Sequence, residues 1–253
     1  MTQTENARQK GRTASSEELR EALGKVPPPY MEGALSNPEI DEGHIFLMLK
    51  NPALTRPLIE DIFREHRWIK IYKVKVAVVN HPNAPRHLSL NLLKFLFWRD
   101  LLTVSDNRRL NSPLRRSAEE LLKERLQEMA VGEQISLART AGRAIIKTLR
   151  ESRNARIIEA LLRNWRTVEE DVISIAKNGK TSSDILSIIA RDYKWGSSRQ
   201  VKMALLMNRR TPVHDSLKSL EGLARKEMLA LKSNPKLREI LKVAVSRILE
   251  SGK

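Results

Sequence analysis

A chain of 253 residues is long enough for one extended domain or two compact ones, and its 46 Lys/Arg against 30 Asp/Glu leave a net charge of +16. There is no cysteine, which excludes disulfides, zinc–thiolate sites and cysteine nucleophiles. No apolar run approaches the roughly 18 residues of a membrane span. Aromatic residues make up only 4 % of the chain, and the prevalence of Leu, Ile, Ala, Arg, Lys and Glu favours helices over sheet.

In chain order, the first 25 residues are polar. They lack the apolar stretch of a signal peptide, so the expectation is a disordered segment of a cytoplasmic protein. Residues 1–43 hold 5 Lys/Arg and 8 Asp/Glu, whereas the remaining 210 hold 41 and 22. The basic charge therefore belongs to residues 44–253 and not to the N-terminal segment. Pro27-Pro28-Pro29 forms a stiff step into a single all-α body over residues 26–253.

Within that body, residues 27–123 align without a gap on residues 154–250, an offset of 127, with 23 of the 97 pairs identical. Arg64 to Trp68 falls on Arg191 to Trp195, Val74 to Ala77 on Val201 to Ala204, and Asn37, Asn51 and Asn107 on Asn164, Asn178 and Asn234. Apolar residues recur three and four apart (Leu90, Leu93, Leu96, Phe97; Leu217, Leu220, Leu223), the period of a helix. Asn- and Pro-containing turns punctuate them. Asparagine is expected to end helices in the left-handed region, and Thr167 to cap the next helix by accepting from the Glu170 N–H. Two-helix units of about 24–31 residues cannot bury their apolar stripes alone and gain stability by stacking, the logic of an α-solenoid. Residues 124–153 are expected to be helices connecting the two halves.

The segments Ala77 to Pro85, Ala204 to Pro212 and Leu231 to Leu241 follow an apolar helix with an Asn- or Pro-bearing turn and a further helix. This pattern resembles the bacterial variant leucine-rich repeat and the wider HEAT-like solenoids over about residues 27–250. The resemblance implies a superhelix of short helices that acts as a binding scaffold.

Signatures of chemistry are few. The histidines His44, His66, His81, His87 and His214 show no metal-ligand spacing, there is no glycine-rich phosphate loop, and adjacent carboxylate pairs such as Glu119-Glu120 point about 100° apart on a helix. No catalytic residue, cofactor or metal is assigned. Trp68 and Trp195 are equivalent; each either stacks on a base or plugs a junction between units, and the second is preferred.

The basic residues are placed more suggestively. Arg108, Arg109, Arg209 and Arg210 sit in or beside turns, and Arg115, Arg116, Lys236 and Arg238 in the first turns after them. Equivalent turns of a solenoid stack along one edge, so these charges are expected to form a stripe that holds a polyanion. Trp165 and Trp98 are the candidates for stacking on bases. The expected function is a non-enzymatic binding module for nucleic-acid backbone. The alternatives are a scaffold for an acidic protein segment and, by analogy with some HEAT-like proteins, a glycosylase acting on alkylated DNA.

Overall fold

The computed structural model describes residues 2–251, the His66 side chain excepted, and contains nineteen helices and no strand among them. In the first part of the chain these are α1 (Gln3–Thr13), α2 (Ser16–Ala22), α3 (Pro28–Leu35), α4 (Glu42–Lys50), α5 (Arg56–Arg64), α6 (His66–Ile69), α7 (Tyr72–Asn80), α8 (Arg86–Leu93), α9 (Trp98–Asp106) and α10 (Ser112–Leu126). The second part holds α11 (Val131–Thr140), α12 (Arg143–Leu149), α13 (Ala155–Leu162), α14 (Glu169–Lys177), α15 (Ser183–Arg191), α16 (Arg199–Met207), α17 (Val213–Leu220), α18 (Arg225–Lys232) and α19 (Glu239–Glu250). The chain divides into two compact units, Met1–Arg125 and Leu126–Lys253.

In the first unit α1 packs on α3 and α3 on α5, while α2 packs on α4, α4 on α7 and α7 on α9. In the second unit α11, α13, α15, α17 and α19 pack in succession, and α14 packs on α16. Neighbours in space are thus near neighbours in sequence, consistent with a helical repeat array. The helix bounds also recur 127 residues apart: α2 with α12, α4 with α14, α5 with α15 and α7 with α16 match end to end.

Three expectations are corrected. Residues 1–25 carry helices α1 and α2 where disorder was expected, and α11 and α12 stand at the corresponding places of the second unit, so residues 124–153 are not merely a connection. The missed signal is apolar but sparse. Leu19 and Leu23 are fully buried, and glycines let helices meet backbone to backbone: a Cβ on Gly11 would lie 2.1 Å from the Tyr30 carbonyl oxygen, and one on Gly33 2.0 Å from that of Arg8. Next, no non-glycine residue among those described has a positive φ. The asparagines at helix ends are extended instead, Asn51 at φ −77°, ψ 115° and Asn208 at φ −85°, ψ 113°. Finally, Thr167 does not cap α14. Its hydroxyl donates back to the Leu161 carbonyl, and the Asp171 carboxylate takes over the cap by accepting from the Val168 N–H.

Asparagine is selected here for its side chain. Asn37 Nδ2 donates to the carbonyls of Gly11 and Ala14 at 3.0 and 2.8 Å, and Asn164 repeats this on Ala138 and Ala141 at 2.8 and 3.0 Å. Each Oδ1 accepts the N–H two residues on, closing the turn. One amide thus satisfies carbonyls left over at the preceding helix end and tethers one turn to the next.

Candidate functional site

In the second unit one series of turns leads out of α12, α14, α16 and α18, each into the next helix of the chain. Asn178, Asn208 and Asn234 shape three of them by accepting the N–H of Lys180, Arg210 and Lys236 at 2.9, 3.0 and 2.9 Å. Thr181 and Thr211, both buried, donate to the carbonyls of Ile175 and Leu205 at 2.8 and 2.6 Å and draw the turns inward. The backbone is pinned and the basic side chains are left outside: Lys180, Arg209, Arg210 and Lys236 are all exposed.

These turns are seated on one another. Asn208 Nδ2 donates to the carbonyls of Ala176 and Asn178 at 2.7 and 3.1 Å, and Arg210 Nη1 reaches the Lys180 carbonyl at 3.4 Å. Arg150, Arg153 and Lys180 line one cavity of about 470 Å³, which places the turn after α12 beside the turn after α14. Leu237 anchors the turn after α18 in the apolar cluster that also holds Leu206 of α16. Across residues 150–154, 177–182, 208–212 and 232–238 there are nine basic residues and one acid, Glu151. The corresponding stretches of the first unit, 23–27, 50–55, 81–85 and 105–111, hold four basic residues and one acid, Asp106. Leu23, Val26, Ala53 and Asn83 stand where the second unit has Arg150, Arg153, Lys180 and Arg210. The scaffold residues are kept while the charge changes.

A buried ion pair stands behind this edge. Asp171, 1 % exposed, is held by both Nη groups of Arg143 and lies 3.8 Å from Arg150. At the corresponding first-unit position, His44 is fully buried, and its ring bonds to the Ser16 carbonyl at 2.9 Å. Farther along, burial alone would raise the Asp215 carboxyl, but the Ser187 hydroxyl and Arg191 guanidinium outweigh it and hold the group below the usual carboxylate range.

The other expected residues are dispersed. Arg108 and Arg109 are exposed on a turn of the first unit, with the Arg109 N–H bonded to Asn107 Oδ1. Arg116 is exposed on α10, but Arg115 is half-buried and its Nη2 donates to the Ser112 hydroxyl. Arg238 turns inward to Ser216 at 2.5 Å, and burial pushes its guanidinium below the usual arginine range. It is therefore the member of the expected set least suited to contact a ligand. Trp165 is 78 % exposed with Arg166 4.7 Å from its ring. Its turn, however, is stapled to the one at Ala138 and Ala141, a different series from the basic one. Trp98 is half-buried under Arg99. Trp195 is buried and donates its indole N–H to the Leu162 carbonyl, joining α13 to the turn before α16, and Trp68 is buried likewise.

Arg150, Arg153, Asn178 and Lys180 were not singled out in the sequence. Subtracting one half from the other for charge finds three of them, once the alignment is carried back beyond residues 27 and 154. Among the described residues no cluster of three His, Cys, Asp or Glu is placed to hold a metal, and no helix is long and apolar enough to cross a membrane. No protein-family model matches the chain, and no curated protein or solved structure is found to be similar to it.

Proposed function

We propose that the chain is a non-enzymatic binding module, an α-solenoid of two-helix repeats made by duplication of a half of 127 residues, and that the basic turns of its second half hold a nucleic-acid backbone. The observation that carries this reading is the contrast between the halves. Both keep the asparagine-built turns, yet only the second lines them with cations at the corresponding positions. Folding does not require that charge, since the first half makes the same turns with Ala53 and Asn83. Packed like charges repel one another, and a phosphate chain relieves that repulsion.

Fluorescence anisotropy of a labelled nucleic acid, titrated across salt concentration, tests the proposal. With about six phosphates neutralised, affinity falls about 10³-fold between 50 and 200 mM salt. Charge reversal of Lys180, Arg209, Arg210 and Lys236 together abolishes binding at the lower salt. Binding that survives the reversal, or that ignores salt, rejects the interface.

A protein scaffold is the second reading, favoured by aromatic side chains on the first unit. Phe95 and Phe97 are 53 % and 66 % exposed, and Tyr72 packs 4.7 Å from the Phe97 ring. Capture of a partner that is lost with Phe95→Ala and Phe97→Ala, without salt-sensitive nucleic-acid binding, selects that reading.

A further inference from the structure

The cavity between the turns after α12 and α14 differs in construction from the rest of the edge. In the first unit the matching space is closed. Leu23 is fully buried there, and Asn51 Nδ2 donates to the carbonyls of Leu23 and Val26 at 3.0 and 2.9 Å. In the second unit the same positions are Arg150 and Arg153. Asn178 keeps the orientation of its carbonyl by accepting the Lys180 N–H, but its Nδ2 has no acceptor among the described residues. An apolar plug and a tether have given way to a cavity of about 470 Å³ lined by Arg150, Arg153, Lys180, Asn178, Ser152 and Glu151.

Such an opening costs packing and leaves cations side by side, so the unliganded site is the less stable arrangement. Three cations against one carboxylate leave the lining two positive charges in excess, and the Asn178 amide adds a neutral donor. Asp171 does little to neutralise that excess, because Arg143 and the Val168 N–H already occupy it and Arg150 stays 3.8 Å away. A phosphodiester within a strand offers one negative charge. A phosphate monoester offers about −1.5 to −2 and three acceptor oxygens, which matches this lining in charge and number. The volume lies within the range of small-ligand sites and leaves room for the group that the phosphate is attached to.

We infer that this cavity is a site for a terminal phosphate monoester carried on a nucleoside, either the end of a strand lying on the basic edge or a free nucleotide. The strand-end form rests on the proposed binding of nucleic acid by that edge.

The test compares an internally labelled single strand phosphorylated at both ends with the same strand phosphorylated at neither, using the full chain and anisotropy. The phosphorylated strand binds about tenfold more tightly, and the preference vanishes in Arg153→Ala. It vanishes also in Arg150→Leu, which restores the apolar plug of the first unit and leaves the outer cations in place, so loss of fold does not explain the result. Competition by adenosine 5′-monophosphate but not adenosine at micromolar concentration identifies the free nucleotide as an occupant; its failure, with the end preference intact, identifies the strand end. Equal affinity of the two strands together with no competition overturns the site, while steep salt dependence of both still upholds the edge. If neither strand binds, the edge reading fails. Calorimetry with adenosine 5′-monophosphate then decides the cavity alone: binding lost in Arg150→Leu supports it, and no binding overturns it.

Discussion

At the residue scale, His81 shows how one chemistry replaces another. It stands where the second unit has Asn208, and its ring does the amide's work: Nε2 donates to the Asn51 carbonyl at 3.2 Å, and Nδ1 accepts the Asn83 N–H at 3.1 Å. Only the neutral ring can do both. Burial pushes the group below the 6.5 of a free imidazole, and the Asn51 carbonyl only partly offsets that. The unfolded chain therefore takes up the proton first as pH falls. The contribution of His81 is fully present above pH 6.5 and is lost progressively below it. Thermal unfolding of His81→Asn, followed from pH 8 to pH 5, is expected to show a smaller decline than that of the parent chain.

Asp215 follows the same sense. A buried carboxylate held below its ordinary range stabilises the fold above the unfolded value, and that stability is lost as pH falls through the folded one. Asp215→Ala leaves the Ser187 hydroxyl and the Arg191 guanidinium without their acceptor. It is expected to lower stability by about 1–3 kcal/mol in denaturant unfolding at pH 7.

At the element scale, the asparagine turns predict an ordering. Asn164→Ala removes two hydrogen bonds to the carbonyls of Ala138 and Ala141, as well as the turn bond to the Arg166 N–H. Asn178→Ala removes only the turn bond to Lys180. The first is expected to cost about 2–3 kcal/mol and the second about 1 kcal/mol; equal losses in urea unfolding would contradict the stapling role. Gly33→Ala drives a methyl group into the Arg8 carbonyl and is expected to cost about 1–3 kcal/mol.

Helix period, turn positions and the match between halves were legible in the sequence because apolar spacing and asparagine survive in both. The helices α1 and α2 were not. The packing of α1 on α3 relies on Gly11 and Gly33, residues that read as breakers, and α1 exposes most of its side chains. The use of asparagine was also misread, since its side-chain tether spans about two dozen residues and no local pattern announces it. The basic turns were legible one by one as Arg209, Arg210 and Lys236. The cavity was not, because it arises from an absence of plugging that only comparison of Leu23 with Arg150 discloses.

At the scale of the whole molecule, charge is shared unevenly. The first unit holds 21 Lys/Arg and 16 Asp/Glu, the second 25 and 14. Reversal of Arg108 and Arg109 is accordingly expected to weaken nucleic-acid binding less than reversal of Arg209 and Arg210. A salt titration of both double variants measures the difference. Deletion of residues 1–25 strips α1 and α2 from α3 and α4. It is expected to lower the melting temperature of the chain, where removal of a disordered tail would leave it unchanged.

The tethers between turns bridge short stretches of chain, from 23 residues for Asn37 to Ala14 up to 33 for Trp195 to Leu162. Closing such loops costs little entropy, and no contact must wait for a distant part of the chain to arrive. Folding can start at several places and spread, and unfolding can begin at whichever tether is weakest. Asn178, tied by one bond where its neighbours have several, marks that place in the second unit. Amide hydrogens of α12 and α14 should exchange before those of α13, and a ligand seated between their turns would slow them, turning a seam into a latch.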